Sequence, residues 1–373
     1  MSDTPMNPPI NPLRQVHDLG QSIWLDDIRR VWLRDGTLAR LIANDALAGV
    51  TSNPAIFAKA IGEGAEYNDV IASLARAGRS IDDIYETLAL EDVQAAADLF
   101  RDTYTASKGA DGYVSLEVSP HLADDTKGTI EEAQRLWRAF ARPNAMIKVP
   151  GTEAGLPAIT ELIAAGININ VTLLFSVERY RAVVDAYLAG LERRLEAGQP
   201  IDKVASVASF FLSRIDTLID AKLDSLTTHE AKARRGRAAI ASAQLAYQHY
   251  KQWTSSPRWQ ALAASGARPQ RLLWASTSSK DPAYKDTMYV EALIAPNTVN
   301  TLPPATLEAY RDHGDPAVRI EEGVADAKET VQILRGLGIE LEAVSQQLER
   351  EGVKKFKEPF DALLAALKQR TGK

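Results

Sequence analysis

Short apolar runs alternate with longer amphipathic ones along most of this chain. Residues 22–26, Ser-Ile-Trp-Leu-Asp, read as a strand ending on a carboxylate. Helical spacing follows through Arg29, Val31, Leu33, Leu38 and Leu41. Gly49-Val50-Thr51-Ser52-Asn53-Pro54 is a second short strand that Pro54 terminates. Residues 54–107 carry helical spacing in several pieces, with one break at Gly78-Arg79-Ser80. Alternation and β-branched content make residues 113–118 a third strand, and a helix fits 127–141. A fourth strand, Ala145-Met146-Ile147-Lys148-Val149, runs into the turn Pro150-Gly151. Helix 153–164 ends near Gly166, and residues 167–172 are the fifth strand. Phe175-Ser176 then opens a long helix to 196. Residues 203–209, 271–276 and 288–294 supply the sixth, seventh and eighth strands, with a helix at 211–225.

Three stretches break this rhythm. Residues 1–12 are Pro-rich and read as a flexible segment. Residues 226–268 are Ala-rich, charged and aromatic, with His249, Tyr250, Trp253 and Trp259, and read as a helical insertion on the outside of the fold. Residues 321–373 are amphipathic, through Val324, Val331, Leu334, Leu341, Val344, Leu348, Phe360, Leu363, Leu364 and Leu367. They read as a helical extension packed on the body formed by residues 13–320, which covers the barrel mouth, lies on its flank or makes a dimer contact. Eight strands alternating with helices predict an α/β barrel of the (β/α)8 TIM type, with parallel pairing and right-handed crossovers. A doubly wound open sheet would want a Gly-rich loop after the first strand, and Trp24-Leu25-Asp26-Asp27-Ile28-Arg29 offers none. No internal repeat is visible.

Composition narrows the function. The 373 residues are 45% apolar, enough for a large core. A net charge of -6 argues against nucleic-acid or anionic-membrane partners. With no cysteine there is no disulfide or thiolate chemistry, and the usage fits a reducing cytoplasm. The five His form no HExxH pair, so no metal site is expected. The start lacks a basic segment followed by an apolar one, so no signal peptide is read, and no run approaches the roughly 18 apolar residues of a membrane span. Monomer and homodimer both remain open.

Chemistry collects at the strand ends. A lysine near the end of a barrel strand loses solvent, and desolvation lowers an ammonium pKa from about 10.4. A neutral Lys148 would be a nucleophile able to form a Schiff base; taken alone, the strand favours a lysine that snorkels to water. Its company matters: Asp26, Asn53, Glu117, Asn170, Thr172, Ser209 and Ser276 also stand at carboxyl ends of strands. In a barrel these ends converge on one face. Asp26 on its own could be a helix N-cap. Glu117 sits within an apolar alternation and would point inward only with a break in that alternation; a buried Glu needs a partner, and Lys148 is one strand away.

These same stretches resemble the transaldolases. The matching motifs are Trp24-Leu25-Asp26, Thr51-Ser52-Asn53-Pro54, Val114-Ser115-Leu116-Glu117-Val118, Ile147-Lys148-Val149-Pro150-Gly151-Thr152, Ile169-Asn170-Val171-Thr172-Leu173-Leu174-Phe175-Ser176, and Ser209-Phe210-Phe211 with Arg214. The resemblance implies Lys148 as the Schiff-base lysine, Asp26 and Glu117 as acid and base, and Thr172 as a holder of a catalytic water. It further implies Asn53 and Asn170 on substrate hydroxyls, and Ser209 and Arg214 on the substrate phosphate. Phe211 matches the aromatic that the related aldolase branch tends to replace with Tyr. Ser276 is also taken as substrate-binding. Asp27 fits an N-cap, which leaves the catalytic role to Asp26. Where many relatives have a second phosphate-binding arginine this chain has Ser278, so Lys280 is the candidate for that charge. The implied partners are sugar phosphates, with no cofactor, because the lysine itself supplies the electron sink. Rival readings are an aldolase that releases dihydroxyacetone and a non-catalytic barrel that only binds.

Overall fold

The computed structural model describes residues 11–372. Within them eight parallel strands close on themselves: β1 (Gln21–Leu25), β2 (Leu47–Val50), β3 (Tyr113–Glu117), β4 (Ala145–Pro150), β5 (Ile169–Leu174), β6 (Ser206–Phe211), β7 (Arg271–Ala275) and β8 (Thr298–Leu302). Sequence neighbours are sheet neighbours, and β8 pairs back onto β1 from Gln21↔Thr298 to Leu25↔Leu302. Helices separate every consecutive pair, so the fold is the predicted (β/α)8 barrel. Helices cover the sheet from outside, which is why the strands read as apolar runs. Only two strand residues escape full burial, Glu117 and Arg271. They are charged, and they stand at opposite ends of the barrel.

The amino end of the interior is filled. The Trp24 indole donates to Asp111 Oδ1 at 3.2 Å and lies 6.4 Å from the Tyr113 ring. Arg271 pairs with Asp111 at 2.9 Å and donates to Ser22 Oγ at 2.9 Å. The carboxyl end holds a pocket lined by Asp26, Lys148, Arg214, Phe211 and Phe356.

Several elements differ from the sequence pattern. The eighth strand is not 288–294; those residues carry the helix Met288–Ala292, and the strand is Thr298–Leu302. The apolar residues of 288–294 bury on the outside of the barrel, where the Tyr289 hydroxyl donates to Asp216 at 2.8 Å. The true strand looks polar because of its threonines, whose hydroxyls are satisfied internally, and Asn300, whose buried amide has no partner. Thr298 Oγ1 accepts from Gln21 at 2.9 Å and donates to Ala295 O at 2.6 Å, and the Thr301 and Thr51 hydroxyls meet at 2.6 Å. The sixth strand begins and ends later than 203–209, because Phe210 packs on Trp274 outside the sheet and Phe211 turns toward the mouth. Helical spacing after β1 resolves into two helices, Arg30–Arg34 and Thr37–Asp45, separated at Gly36, whose φ of 78° suits glycine.

Of the Pro-rich start, residues 1–10 lie outside the described residues. Asn11 caps the helix Pro12–Asp18 and also donates to Asp45 at 2.7 Å. This Asn-Pro start is an N-terminal helix signal that the pattern reading passed over. Residues 226–268 hold the helices His229–Ala233, Ala238–Thr254 and Pro257–Ala264. The Ala238–Thr254 helix packs against Val177–Glu196 and Val324–Gly336, with Trp253 donating to the Tyr180 hydroxyl at 3.1 Å. The last helix, Leu341–Thr371, is continuous through Pro359 and crosses the carboxyl mouth. Ser345 donates to Phe175 O at 2.8 Å near its start, and Arg370 reaches Gly64 O at 3.3 Å near its end.

Gly49 shows how tightly the amino half is packed. A Cβ there would lie 2.7 Å from the buried Trp24 indole. Gly49→Ala is expected to lower the unfolding free energy by about 1–3 kcal/mol, because overpacking moves a ring that has nowhere to go. Urea titration should show a reduced midpoint with an unchanged slope. A midpoint at or above wild type would mean that Trp24 is not fixed against β2.

Candidate active site

Strand register sets the centre of the site. Glu117 on β3 is the register partner of Lys148 on β4, which in turn pairs with Asn170 on β5. Residues in register on neighbouring parallel strands share a face, so these three side chains enter the barrel side by side. Ser115 enters on the same face as Glu117, and its hydroxyl accepts from Asn170 Nδ2 at 3.1 Å. Plain alternation therefore turns Glu117 inward, and the expected break in alternation is not needed.

Lys148 is only 4% exposed. Its Nζ donates to Ser52 O at 3.1 Å and lies 3.2 Å from Glu117 Oε2, an ion-pair distance without hydrogen-bond alignment. Burial pushes the Glu117 carboxyl up to about 7, although the Lys148 charge opposes the shift. Asp26 follows β1, where its N–H donates to Leu302 O at 2.8 Å and its Oδ1 accepts from the Thr51 hydroxyl at 2.9 Å. Burial raises its pKa as well, and Lys148 is the chief opposing charge. Two acids held above the ordinary carboxylate range thus flank one amine.

The remaining candidates are placed unequally. Asn53 caps the helix Pro54–Glu63 through its Oδ1, at 3.0 Å from Ile56 N, and lines the pocket above Lys148. Thr172 also lines it, with a buried hydroxyl that has no partner. Between Val171 and Leu174 the β5 register slips, and Leu173 takes a φ of 65°. Irregularities of this kind re-aim side chains at barrel rims. Ser209 reaches the pocket and donates to Asn170 Oδ1 at 2.7 Å. Asn170 does not line the pocket; its amide is committed to Ser115 and Ser209.

At the far side Arg214 leaves its Nη1 buried without a partner. Its guanidinium lies 5.5 Å from the Phe211 ring and 5.9 Å from the Phe356 ring. Burial lowers the Arg214 pKa. Ser276, at φ 56°, shares a 2.8 Å hydroxyl contact with Ser213, and Lys280 Nζ donates to Ser278 Oγ at 2.6 Å on the pocket rim. Asp27 is no N-cap: its carboxylate takes Arg29 at 2.8 Å, and the helix Arg30–Arg34 has no side-chain cap.

Three wall residues escaped the sequence reading. Thr51 was quoted within a motif, but its hydroxyl bridge to Asp26 depends on strand register. Thr301 belongs to the strand that was misplaced. Phe356, on the C-terminal helix, hangs 5.5 Å from Lys148 Nζ. One more aromatic in an amphipathic helix carries no signal that distinguishes it from core.

Among the described residues no group of His, Cys, Asp or Glu has metal-holding geometry, and no helix is long and apolar enough to cross a membrane. The side chains of the site set an amine between two acids at one end and a guanidinium with an unpartnered donor at the other.

The chain is similar to known proteins over nearly its whole length. The family model for Transaldolase/Fructose-6-phosphate aldolase matches residues 23–367. A transaldolase of Frankia alni is 48% identical over 364 residues, covering 97% of this chain and 98% of its own. Transaldolase 2 of a Nostoc species is 50% identical over 369 residues, covering 96% and 97%. A transaldolase of Saccharopolyspora erythraea is 51% identical over 360 residues, again covering 96% and 97%. With its barrel closed, its motifs gathered at one mouth and its whole length matched, this chain belongs to the transaldolase/fructose-6-phosphate aldolase family.

Proposed function

We propose that the protein is a transaldolase that moves a dihydroxyacetone unit from a ketose phosphate to an aldose phosphate through a Schiff base on Lys148. The donors would be sedoheptulose 7-phosphate or fructose 6-phosphate, and the acceptors glyceraldehyde 3-phosphate or erythrose 4-phosphate. This reaction belongs to the non-oxidative pentose phosphate pathway, and a cytoplasmic setting suits a chain without cysteine. The observation that carries the reading is the Lys148–Glu117 contact of 3.2 Å at the floor of a pocket whose other wall holds the unpaired Arg214 donor.

The placement of these groups supports a sequence of proton and bond transfers. One proton moved from Nζ to Oε2 turns an ion pair into a neutral amine and a neutral acid. The amine attacks the ketose carbonyl carbon. Glu117 returns its proton to the carbinolamine hydroxyl, which leaves as water, and a protonated imine results. Asp26 takes the proton of the hydroxyl on the fourth carbon. The bond between the third and fourth carbons breaks, its electrons pass to the imine, and the aldose leaves. The three-carbon enamine then attacks the acceptor aldehyde, Asp26 returns the proton, and water releases the new ketose.

Thr172, with its free buried hydroxyl, is suited to hold the water. Asn53 and Ser276 line the space for sugar hydroxyls, and Asn170 acts by orienting Ser209. Arg214 meets the phosphate, where a guanidinium suits two oxygens at once. Lys280 on the rim adds charge in place of a second arginine. Phe356 and Phe211 keep bulk water from the enamine. Phe211, rather than Tyr, favours transfer over release of free dihydroxyacetone; coupled assays with and without acceptor aldehyde separate the two.

Borohydride reduction with fructose 6-phosphate is expected to add a three- or six-carbon mass to Lys148, and Lys148→Ala is expected to abolish it. An unchanged wild-type mass would reject the enzyme reading. Arg214→Ala should lower kcat/KM for phosphorylated donors by about 10–100-fold, the value of a lost charged hydrogen bond, while leaving free dihydroxyacetone turnover nearly unchanged. Equal losses on both would reject the phosphate role. A third outcome concerns pH. Because folding raises the Glu117 pKa from 4.5 to about 7, the folded chain binds more protons than the unfolded one in that window. The Glu117 contribution to stability therefore falls as pH rises from about 4.5 to 7, by about 3 kcal/mol at most. Glu117→Gln should flatten the decline in Tm over that window; an unchanged slope would place the titration elsewhere.

A further inference from the structure

Glu117 has a second neighbourhood that the reaction scheme does not use. Its carboxyl lines a separate cavity of about 360 Å³, bounded by the helices Ile81–Leu99 and Thr126–Phe140, the segment 116–121 and the C-terminal helix. This cavity does not share Lys148, Asp26 or Arg214 with the pocket at the barrel mouth. Glu117 lines the side cavity and touches, at 3.2 Å from Oε2 to Nζ, the lysine that lines the mouth pocket.

The cavity is polar where it matters. Glu132, whose Oε1 accepts from Ser119 N at 3.0 Å, lines it, as does Tyr85. Burial, then the charges of Glu117 and Glu132, hold the Tyr85 phenol above its ordinary range, so the three groups sit around one space. The Tyr85 ring itself is fixed edge-on between Phe57 at 6.1 Å and Phe360 at 5.3 Å. At the outer rim stand Asp82, Glu86, His121 and Arg135, where Arg135 pairs with Glu86 and His121 with Asp361 at 2.7 Å. His121 and Arg135 are half exposed, so the space opens to solvent between two helices rather than through the mouth. A cavity of this size with several polar partners is hospitable to water.

The barrel mouth is poorly suited to the same traffic. Phe356 roofs Lys148, the amino half of the barrel is packed solid, and a bound ketose phosphate would fill the remaining opening. Yet imine formation expels one water and hydrolysis consumes one, each beside Glu117. We propose that this side cavity is the passage by which water, and the proton carried by Glu117, move between Lys148 and bulk solvent, with Glu132 and Tyr85 as positioning residues along it. The inference rests on the reading of Glu117 as the acid of Schiff-base chemistry. In atom balance, the carbinolamine hydroxyl and the Glu117 proton leave as one water into the cavity, and hydrolysis runs the same path backward.

The test is exchange of oxygen into the ketose carbonyl. Each reversible imine formation replaces that oxygen with one from water. Wild-type protein is incubated with fructose 6-phosphate in oxygen-18 water without acceptor, and label uptake above the uncatalysed rate is compared with the rate of borohydride-trapped adduct. Ala89→Leu fills the cavity from the buried face of the Ile81–Leu99 helix. It is expected to reduce exchange about tenfold more than adduct formation, because a trapped water returns to the imine instead of escaping. Glu132→Gln keeps the shape and the bond from Ser119. It is expected to raise the solvent deuterium effect on imine formation with an unchanged KM, a change that a purely structural role would not produce. If both variants match wild type in the exchange ratio and the isotope effect, the side passage is wrong while the lysine chemistry stands. If wild type forms no adduct at all, both readings fall. Should Ala89→Leu not fold, Glu132→Gln decides the matter alone.

Discussion

The buried contact between Lys148 and Glu117 governs this structure. Removing two ionisable groups from water is costly, and the cost is met only where each group compensates the other. Here β3 and β4 bring them together by register, Ser52 O takes one ammonium hydrogen, and no water-filled surface is needed. The same low-dielectric setting that makes the pair expensive makes the proton between them mobile. Burial raises both Glu117 and Asp26 from their ordinary values, and Glu117, pushed up to about 7, is the acid able to exchange a proton near neutrality.

The two ends of the barrel express two uses of polar groups. At the amino end Arg271, Asp111, Ser22 and Trp24 satisfy one another, and the result is a plug. At the carboxyl end Thr172 and Arg214 are left with buried atoms that have no partner. Unmet hydrogen-bonding capacity is destabilising in a folded chain, and these two residues line the mouth pocket, where a ligand could supply the missing partners.

Much of this was legible in the chain. Strands with a charged residue at, just after or near the carboxyl end, such as β3, β1 and β4, announce themselves, because an apolar run is interrupted where the pocket begins. Lys148 and Glu117 were legible as a pair for that reason. β8 was not legible, since its threonines and asparagine look like a loop, and the threonines are accommodated inside through bonds to Gln21 and Thr51. The adjacent 288–294 stretch looked like a strand because apolar content does not say which surface it will cover. Asp27 misled because a carboxylate before a helix suggests a cap, and an arginine two residues on competes for it. Phe356 lay beyond reach altogether. Its meaning depends on the path of a helix whose first contact, Ser345 with Phe175 O, joins residues far apart in the chain.

The seam between β1 and β8 joins the two strands most distant in sequence, and Thr51 sits astride it. Its hydroxyl touches Asp26 on one side and Thr301 on the other, while Leu302 O holds the Asp26 backbone. Asp26 is thus aimed by atoms that meet only when the circle of strands is complete. A half-assembled sheet would carry its lysine but leave this acid without direction. Closure of the ring is thus what completes the hydrogen bonds that orient Asp26.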